Sequence, residues 1–128
     1  MTRILLVEDN EMNSDMLSRR LGKRGFEVEI VTNGESCQAR VEAFRPALVL
    51  MDLGLPGIDG IETTSRLKSD PATREIPVIA LSAHTSDADV RRSMEAGCSD
   101  FDEKPIDLPR LLRKMAALLP PGAVTFLE

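Results

Sequence analysis

Short apolar runs alternate along this chain with longer segments whose apolar residues recur at helical spacing. The runs are typical of β-strands, and apolar residues three or four positions apart indicate amphipathic helices. The pattern predicts strands at residues 3–7, 27–31, 47–51, 76–81 and 100–103. It predicts helices at residues 11–23, from 37 to 44, from 59 to about 69, from 86 to 97 and from 107 to 119.

The run at residues 47–51 is apolar throughout, ends at the carboxylate of Asp52, and is followed by turn residues that include Gly54 and Pro56. A strand without polar alternation is expected to be buried on both faces. Since strands alternate with helices along the whole chain, the fold class predicted is α/β, a doubly wound sheet of five parallel strands with five helices.

Polar residues stand where the predicted strands end: Glu8, Asp9, Asp52, Ser82 and Lys104. Parallel strands joined by right-handed crossovers place all their carboxyl ends at one edge of the sheet. We therefore expect these five side chains to converge on one crevice.

The helices differ in the apolar surface that they offer. The first carries Met12, Met16, Leu17 and Leu21, which we expect to form one buried stripe. The fourth has only Val90 and Met94 on a common face, so we expect it to be weakly held and able to move. The last has the clearest amphipathic pattern in the chain, with Asp107 as its cap.

Composition and net charge limit the partners and the compartment that the sequence predicts. The 128 residues fit one domain, and a net charge of −5 disfavours nucleic acid and anionic membranes as partners. Cys37 and Cys98 are far apart and form no CxxC pair, which favours buried thiols in a reducing compartment. The first apolar run is too short for a signal peptide or a membrane span, so we expect a cytoplasmic protein.

Three converging carboxylates favour a bound divalent cation. Mg²⁺ fits best, with Asp9 and Asp52 as direct ligands, Glu8 acting through water, and a backbone carbonyl of the Asp52 loop, at Gly54, completing the shell. Together with Mg²⁺ and Lys104 the three carboxylates sum to a formal charge of zero. Phosphorylation of Asp52 would add about one negative charge, for which Lys104 and the Ser82 hydroxyl supply a cation and a donor.

Several short motifs occur in order along the chain: Val7-Glu8-Asp9-Asn10, Met51-Asp52-Leu53 with Pro56, Asp59-Gly60, Ser82-Ala83, Ala96-Gly97 and Lys104-Pro105. Taken together, these motifs resemble the receiver domain of two-component response regulators. The resemblance implies a flavodoxin-like sheet with strand order 2-1-3-4-5. It also implies that residues 1–120 form the receiver domain and residues 121–128 a short tail.

The resemblance implies roles for single residues. Asp52 is the phosphoacceptor, Glu8 and Asp9 hold Mg²⁺, and Lys104 pairs with the phosphoryl group. Ser82, with Ala83 beside it, moves toward that group, and Phe101 takes the position of an aromatic switch. The bond between Lys104 and Pro105 is expected to be cis.

The partners implied are a sensor histidine kinase or a histidine phosphotransfer protein as donor, and a downstream protein target. The target is expected to contact the face formed by the fourth helix, the fifth strand and the fifth helix, with the protein a monomer or a weak phosphorylation-dependent dimer. Gly54 and His84 occupy positions that resemble those setting the lifetime of the phosphoryl group, so that lifetime stays open.

The sequence also bears on alternative functions of the chain. With eight residues after Pro120, a stand-alone receiver without enzymatic activity is expected, although the spacing of Asn10 and Asn13 also resembles receivers attached to hybrid kinases. A haloacid-dehalogenase-like phosphatase is disfavoured by Gly54, where a second Asp would stand. A flavin site is disfavoured because the carboxylates after the first strand would repel phosphate. A receiver-like binding module that never accepts phosphate is the remaining alternative.

Overall fold

The computed structural model describes residues 1–125, with ten elements of secondary structure. The strands are β1 (Thr2–Val7), β2 (Phe26–Val31), β3 (Leu48–Asp52), β4 (Val78–Ser82) and β5 (Asp100–Glu103). The helices are α1 (Glu11–Lys23), α2 (Cys37–Phe44), α3 (Gly60–Ser69), α4 (Asp87–Ala96) and α5 (Leu108–Leu118). Among residues 1–125, no helix combines the length and the apolar character that crossing a membrane requires.

All strand pairs are parallel, and the sheet order is β2-β1-β3-β4-β5. In register, Val7 lies level with Met51, and Asp52 lies level with Leu81. The fold class and strand order expected from the sequence are confirmed, and the carboxyl ends of the strands share one edge.

Alternation along the strands creates two cores, one on each face of the sheet. Alternate residues of the central strands pack against α1 and α5, and the residues between them pack against α2 and α3. Every residue of β3 and β4 is buried, as a continuous apolar run predicts. The end of β3 is therefore fixed on both sides, and with it the position of Asp52.

Local capping explains where the helices begin. The side chains of Asn10, Asp59, Ser86 and Asp107 each accept a hydrogen bond from the backbone N–H three residues later. Gly60 opens α3 because a Cβ there would collide with the Asp52 carbonyl and the Leu53 backbone. The missing side chain lets α3 start directly against the end of β3.

The predicted stripe on α1 is wrong in part. Leu17 and Leu21 are buried, but Met12 is 75% and Met16 51% exposed. The buried line of α1 runs instead through Ser14, Leu17 and Leu21. At 3.6 residues per turn, Met12 and Met16 lie roughly 130–170° around the helix from that line.

The packing of α4 matches the expectation that little apolar surface holds it. Ser93 is its one buried residue, Val90 is half-buried, and Met94 is 43% exposed. Whether α4 moves stays a prediction.

The segment after Pro120 is partly packed on the domain. Ala123 and Val124 contact the core between the sheet and α5, and an Arg24 guanidinium N–H donates to the Thr125 carbonyl at 3.2 Å. Residues 126–128 of the predicted tail lie outside the described residues.

A buried carboxylate on β5, which the sequence pattern did not reveal, joins this edge strand to α5. The side chain of Asp102 is 0% exposed, and its Oδ1 accepts from Arg110 Nε at 2.7 Å and from Lys114 Nζ at 3.1 Å. The same two cations also donate to the Glu103 and Phe101 carbonyls at the free edge of β5. Asp102 Oδ2 is buried without a hydrogen-bond partner among the described residues.

Replacing Asp102 tests whether this cluster adds net stability. Because Arg110 and Lys114 are each 29% exposed and can be solvated, Asp102→Val should melt at or above the temperature of the parent protein. Asp102→Ala, which empties buried volume, should lower Tm by roughly 3–8 °C. Calorimetry of both variants decides, and an equal loss in Asp102→Val would show that the ion pairs stabilise the fold.

Thiol reactivity checks the burial of the two cysteines, which are both free and buried as predicted. Burial raises the pKa of Cys37 to about 12 and also raises the pKa of Cys98. Since the thiolate is the reactive form, both thiols should resist a disulfide reagent at pH 8 in the folded protein and react fully in guanidinium chloride. Fast labelling of either thiol in the folded state would contradict this burial.

Candidate metal and phosphoryl site

A crevice of about 440 Å³ opens at the carboxyl edge of the sheet. The side chains expected to converge all line it: Glu8, Asp9, Asp52, Ser82 and Lys104. Residues of the loops after β1, β3 and β4, and of the helices α1, α3 and α4, also line it.

Asp52 is the last residue of β3 and only 5% exposed. Its Oδ1 accepts from the Gly54 backbone N–H at 3.0 Å and lies 3.2 Å from Lys104 Nζ. Both contacts use the same oxygen. The carboxylate is thus fixed in orientation, and Oδ2 is the oxygen available for further chemistry.

Lys104 joins two carboxylates that the sheet buries. Its Nζ donates to Glu8 Oε1 at 2.8 Å as well as approaching Asp52. The other oxygen of Glu8 accepts from the Asn10 backbone N–H at 3.1 Å. One lysine therefore neutralises part of the charge from the ends of β1 and β3.

The pKa values of this pair are displaced by their surroundings. Burial raises the pKa of Glu8, although its hydrogen bonds from Lys104 and from the Asn10 backbone oppose the shift. Burial would lower the pKa of Lys104, but the hydrogen bond to Glu8 and the charges of Asp52 and Glu8 outweigh it and raise that pKa. Lys104 is therefore held firmly in its charged form.

Glu8, Asp9 and Asp52 each offer an oxygen, and these oxygens all lie within 4.8 Å of one another. Glu8 and Asp52 are buried, whereas Asp9 is exposed at the mouth of the crevice. A set of hard oxygen donors with one side open to solvent and phosphate is the environment that Mg²⁺ prefers. The residues present thus fit Mg²⁺, while the predicted part of the Gly54 carbonyl stays a prediction.

Ser82 ends β4 and is 6% exposed. Its Oγ accepts from the His84 backbone N–H at 2.9 Å, within the turn that leads to α4. Ala83 and His84 are exposed and line the crevice beside it. The Ser82 oxygen is thus engaged, and its proton can still be donated to a phosphoryl oxygen.

Two other predicted residues lie on β5 and just after it. Phe101 is half-buried and packs in part against the core under α2 and α3. The Lys104–Pro105 peptide bond is cis, as expected. The switching role of Phe101 stays a prediction.

The crevice also contains charged residues that the sequence did not assign to it. They are Asp89, Arg92 and Asp59, of which only Asp59 was noted in the sequence, as part of the Asp59-Gly60 motif. Arg92 follows Asp89 by three residues, a spacing that places both on one face of α4. The spacing pairs Asp89 with Arg92, but nothing in it indicates that either residue lines the crevice.

A second cavity of about 420 Å³ adjoins the crevice, and Glu8, Asn13, Ala83 and Lys104 line both. Its other walls are largely apolar and include Met16, Leu17 and Ile106. The exposed Met16, wrongly expected to be buried, thus borders a groove that leads to the site.

Comparison with known proteins agrees with this geometry. The response regulator receiver domain family matches residues 4–116. The chain is 35% identical over 116 residues to the polar-differentiation response regulator DivK of Brucella anthropi, covering 91% of this chain and 94% of DivK. It is 34% identical over 117 residues to the phosphate regulon transcriptional regulatory protein PhoB of Rhizobium meliloti, covering 91% of this chain but 52% of PhoB.

One similar solved structure contains a bound metal ion. The receiver domain of a sensor histidine kinase from Pseudomonas aeruginosa PAO1 has a magnesium ion coordinated in its active site cleft. It aligns with a TM-score of 0.84 and 32% identity, over 91% of this chain and 96% of that one.

Replacing Lys104 tests the charge balance of the crevice. Lys104→Met leaves two buried carboxylates without their cation, so its Tm in metal-free buffer should fall below that of the parent protein. Since Mg²⁺ then meets less positive charge, added MgCl₂ should raise the Tm of the variant more than that of the parent.

The control for this prediction is Lys23→Met, which removes an exposed lysine from the last turn of α1. Melting curves in EDTA and in MgCl₂ should not distinguish Lys23→Met from the parent. A similar Mg²⁺ response in all three proteins would contradict the proposed balance.

Proposed function

The chain belongs to the response regulator receiver domain family, and on that basis we propose that Asp52 accepts a phosphoryl group from a histidine kinase or a histidine phosphotransfer protein. Receiver domains are signalling modules of two-component systems. The reaction is Mg²⁺-dependent, and the cytoplasm is the compartment in which we expect it.

The observation that carries this proposal is the state of the Asp52 carboxylate. This carboxylate is buried at the end of β3. Its Oδ1 is held by the Gly54 backbone N–H and by Lys104, which leaves Oδ2 to attack phosphorus. A carboxylate nucleophile must be held in a fixed orientation, because even a small displacement from the phosphorus that it attacks lowers the rate of transfer steeply.

In the transfer step, Asp52 Oδ2 attacks phosphorus and a new P–O bond forms. The P–N bond of the donor phosphohistidine breaks, and the imidazole nitrogen leaves with the bonding pair and takes up a proton. The products are an aspartyl phosphate and a neutral histidine. No oxidant or reductant is required.

The crevice residues stabilise the negative charge of the phosphoryl oxygens during the transfer. Lys104 places an ammonium group beside Asp52, where a phosphoryl oxygen also comes to lie, and the Ser82 hydroxyl can donate to another. Glu8, Asp9 and Asp52 would hold Mg²⁺, which supplies charge neutralisation of the phosphoryl oxygens when bound.

The groove beside the crevice supports a protein as donor. Met16 is exposed and Ile106 half-buried in the groove that Lys104 also lines, and exposed apolar surface that borders a reactive site is typical of a protein contact. A donor protein that binds over this groove would also cover the crevice when its histidine approaches Asp52.

The output face is proposed to be α4, β5 and α5. The helix α4 is weakly held, and Phe101 on β5 is only half-buried, so both can adopt a second arrangement at low cost. Phosphorylation then biases an equilibrium between two arrangements, and the partner binds the favoured one.

Two alternatives remain close to this proposal. Similarity to a receiver domain from a sensor histidine kinase supports the reading that the chain is one part of a hybrid kinase. A receiver-like module that never accepts phosphate would share the fold but leave Asp52 unmodified. Phosphatase activity has less support, because Gly54 offers no second carboxylate beside Asp52.

Phosphorylation with a small donor tests the function directly. Incubation with acetyl phosphate and Mg²⁺ should add the mass of one phosphoryl group, because acetate can leave from phosphorus as imidazole does. The adduct should be labile to hydroxylamine, absent in Asp52→Asn, and strongly reduced in EDTA, as measured by intact-mass spectrometry.

Asp15→Asn is the matched control, since it removes an exposed carboxylate of α1 that lies outside the crevice. It should be phosphorylated like the parent. No adduct on the parent from acetyl phosphate, phosphoramidate or a histidine kinase would favour the binding module, and continuous phosphate release from many esters would favour the phosphatase.

A further inference from the structure

The crevice has a second cation, Arg92, which takes no part in the transfer step proposed for Asp52. Five carboxylates line the crevice: Glu8, Asp9, Asp52, Asp59 and Asp89. Lys104 and Arg92 are the permanent cations among its described lining residues. Lys104 is already committed to Glu8 and Asp52, so among the described side chains that line the crevice Arg92 is the one that can offer an entering phosphoryl group a further positive charge.

Arg92 is loosely held. Its Nη1 lies 3.9 Å from Asp89 Oδ1, which is too long for a hydrogen bond, and its side chain is 60% exposed. The other oxygen of Asp89 accepts from the Ser86 hydroxyl at 2.7 Å, as part of the cap of α4. Among residues 1–125, no hydrogen bond of the Arg92 guanidinium is found, so its donors are available to a ligand.

An exposed ion pair at this spacing stabilises a helix by very little. Asp89 therefore does not compete strongly for Arg92 when an anion arrives. A guanidinium is also the side chain best suited to phosphate, since its N–H groups can contact two phosphoryl oxygens together. The weak packing of α4 lets the side chain and its helix adjust at low cost.

We propose that Arg92 is a binding residue for the phosphoryl group of the donor, exchanging its weak pair with Asp89 for the phosphoryl oxygens as the donor enters the crevice. This inference rests on the proposed function of Asp52. It assigns Arg92 to recognition of the anionic donor, and it gives α4 a direct contact with the group that Asp52 receives.

The test compares four variants by their rates of phosphorylation over a range of acetyl phosphate concentrations, at constant ionic strength and saturating Mg²⁺. Arg92→Gln removes the cation, Arg92→Lys restores the charge, and Asp89→Asn releases Arg92 from its pair. Arg91→Gln is the matched control, because Arg91 is the preceding exposed arginine of α4 and does not line the crevice.

Arg92→Gln should raise the half-saturating acetyl phosphate concentration by about three- to tenfold, with an unchanged plateau rate, because one charge interaction near the surface is lost. Arg92→Lys should recover most of the affinity, Asp89→Asn should lower the half-saturating concentration, and Arg91→Gln should match the parent. Melting curves should show that all four variants are folded.

Two outcomes would overturn the inference. If Arg92→Gln and Arg91→Gln change the concentration dependence equally, the effect is one of overall charge. If Arg92→Gln lowers the plateau rate alone, Arg92 acts on the packing of α4 and not on donor binding. Both results require a parent protein that is phosphorylated on Asp52, whereas a parent that forms no adduct would overturn the proposed function together with this inference.

Discussion

The contact on which the site depends is that of Lys104 with two buried carboxylates. Glu8 and Asp52 end adjacent strands and have almost no access to water, so their mutual repulsion is not screened by solvent. The ammonium group lies 2.8 Å from Glu8 and 3.2 Å from Asp52 and makes this arrangement stable. The described lining of the crevice stays net negative, which favours the binding of a divalent cation between Glu8, Asp9 and Asp52.

Most of the fold could be predicted because it follows from periodicity and topology. The range of α1, the cap at Asp107 and the burial of β3 all depend on local sequence, and the structure agrees with each. The convergence of residues separated by about a hundred positions required only the rule that parallel strands share an edge. The exposure of Met12 could not be predicted in this way, because the pattern of apolar residues did not show which side of α1 faces the sheet.

The sequence pattern could not predict which side chains of different helices and strands contact one another. Asp102 lies on a strand whose other residues are mostly polar, so nothing in the pattern indicated that its side chain is buried beneath α5. Arg92 resembles any other exposed arginine of α4 until the crevice is seen.

The two helices that flank β5 differ in how they are held, and this difference decides where a charge change at Asp52 can be absorbed. Arg110 and Lys114 tie α5 to Asp102 and to the β5 carbonyls, and apolar residues of α5 are buried in the core. By contrast, α4 buries only Ser93 and contacts the crevice through Arg92 and Asp89. The strands cannot shift without opening both cores, and α5 is held to the edge strand. The element that combines a charged contact with the crevice and a low cost of displacement is therefore α4, so α4 is where a signal from Asp52 should first become a change of surface.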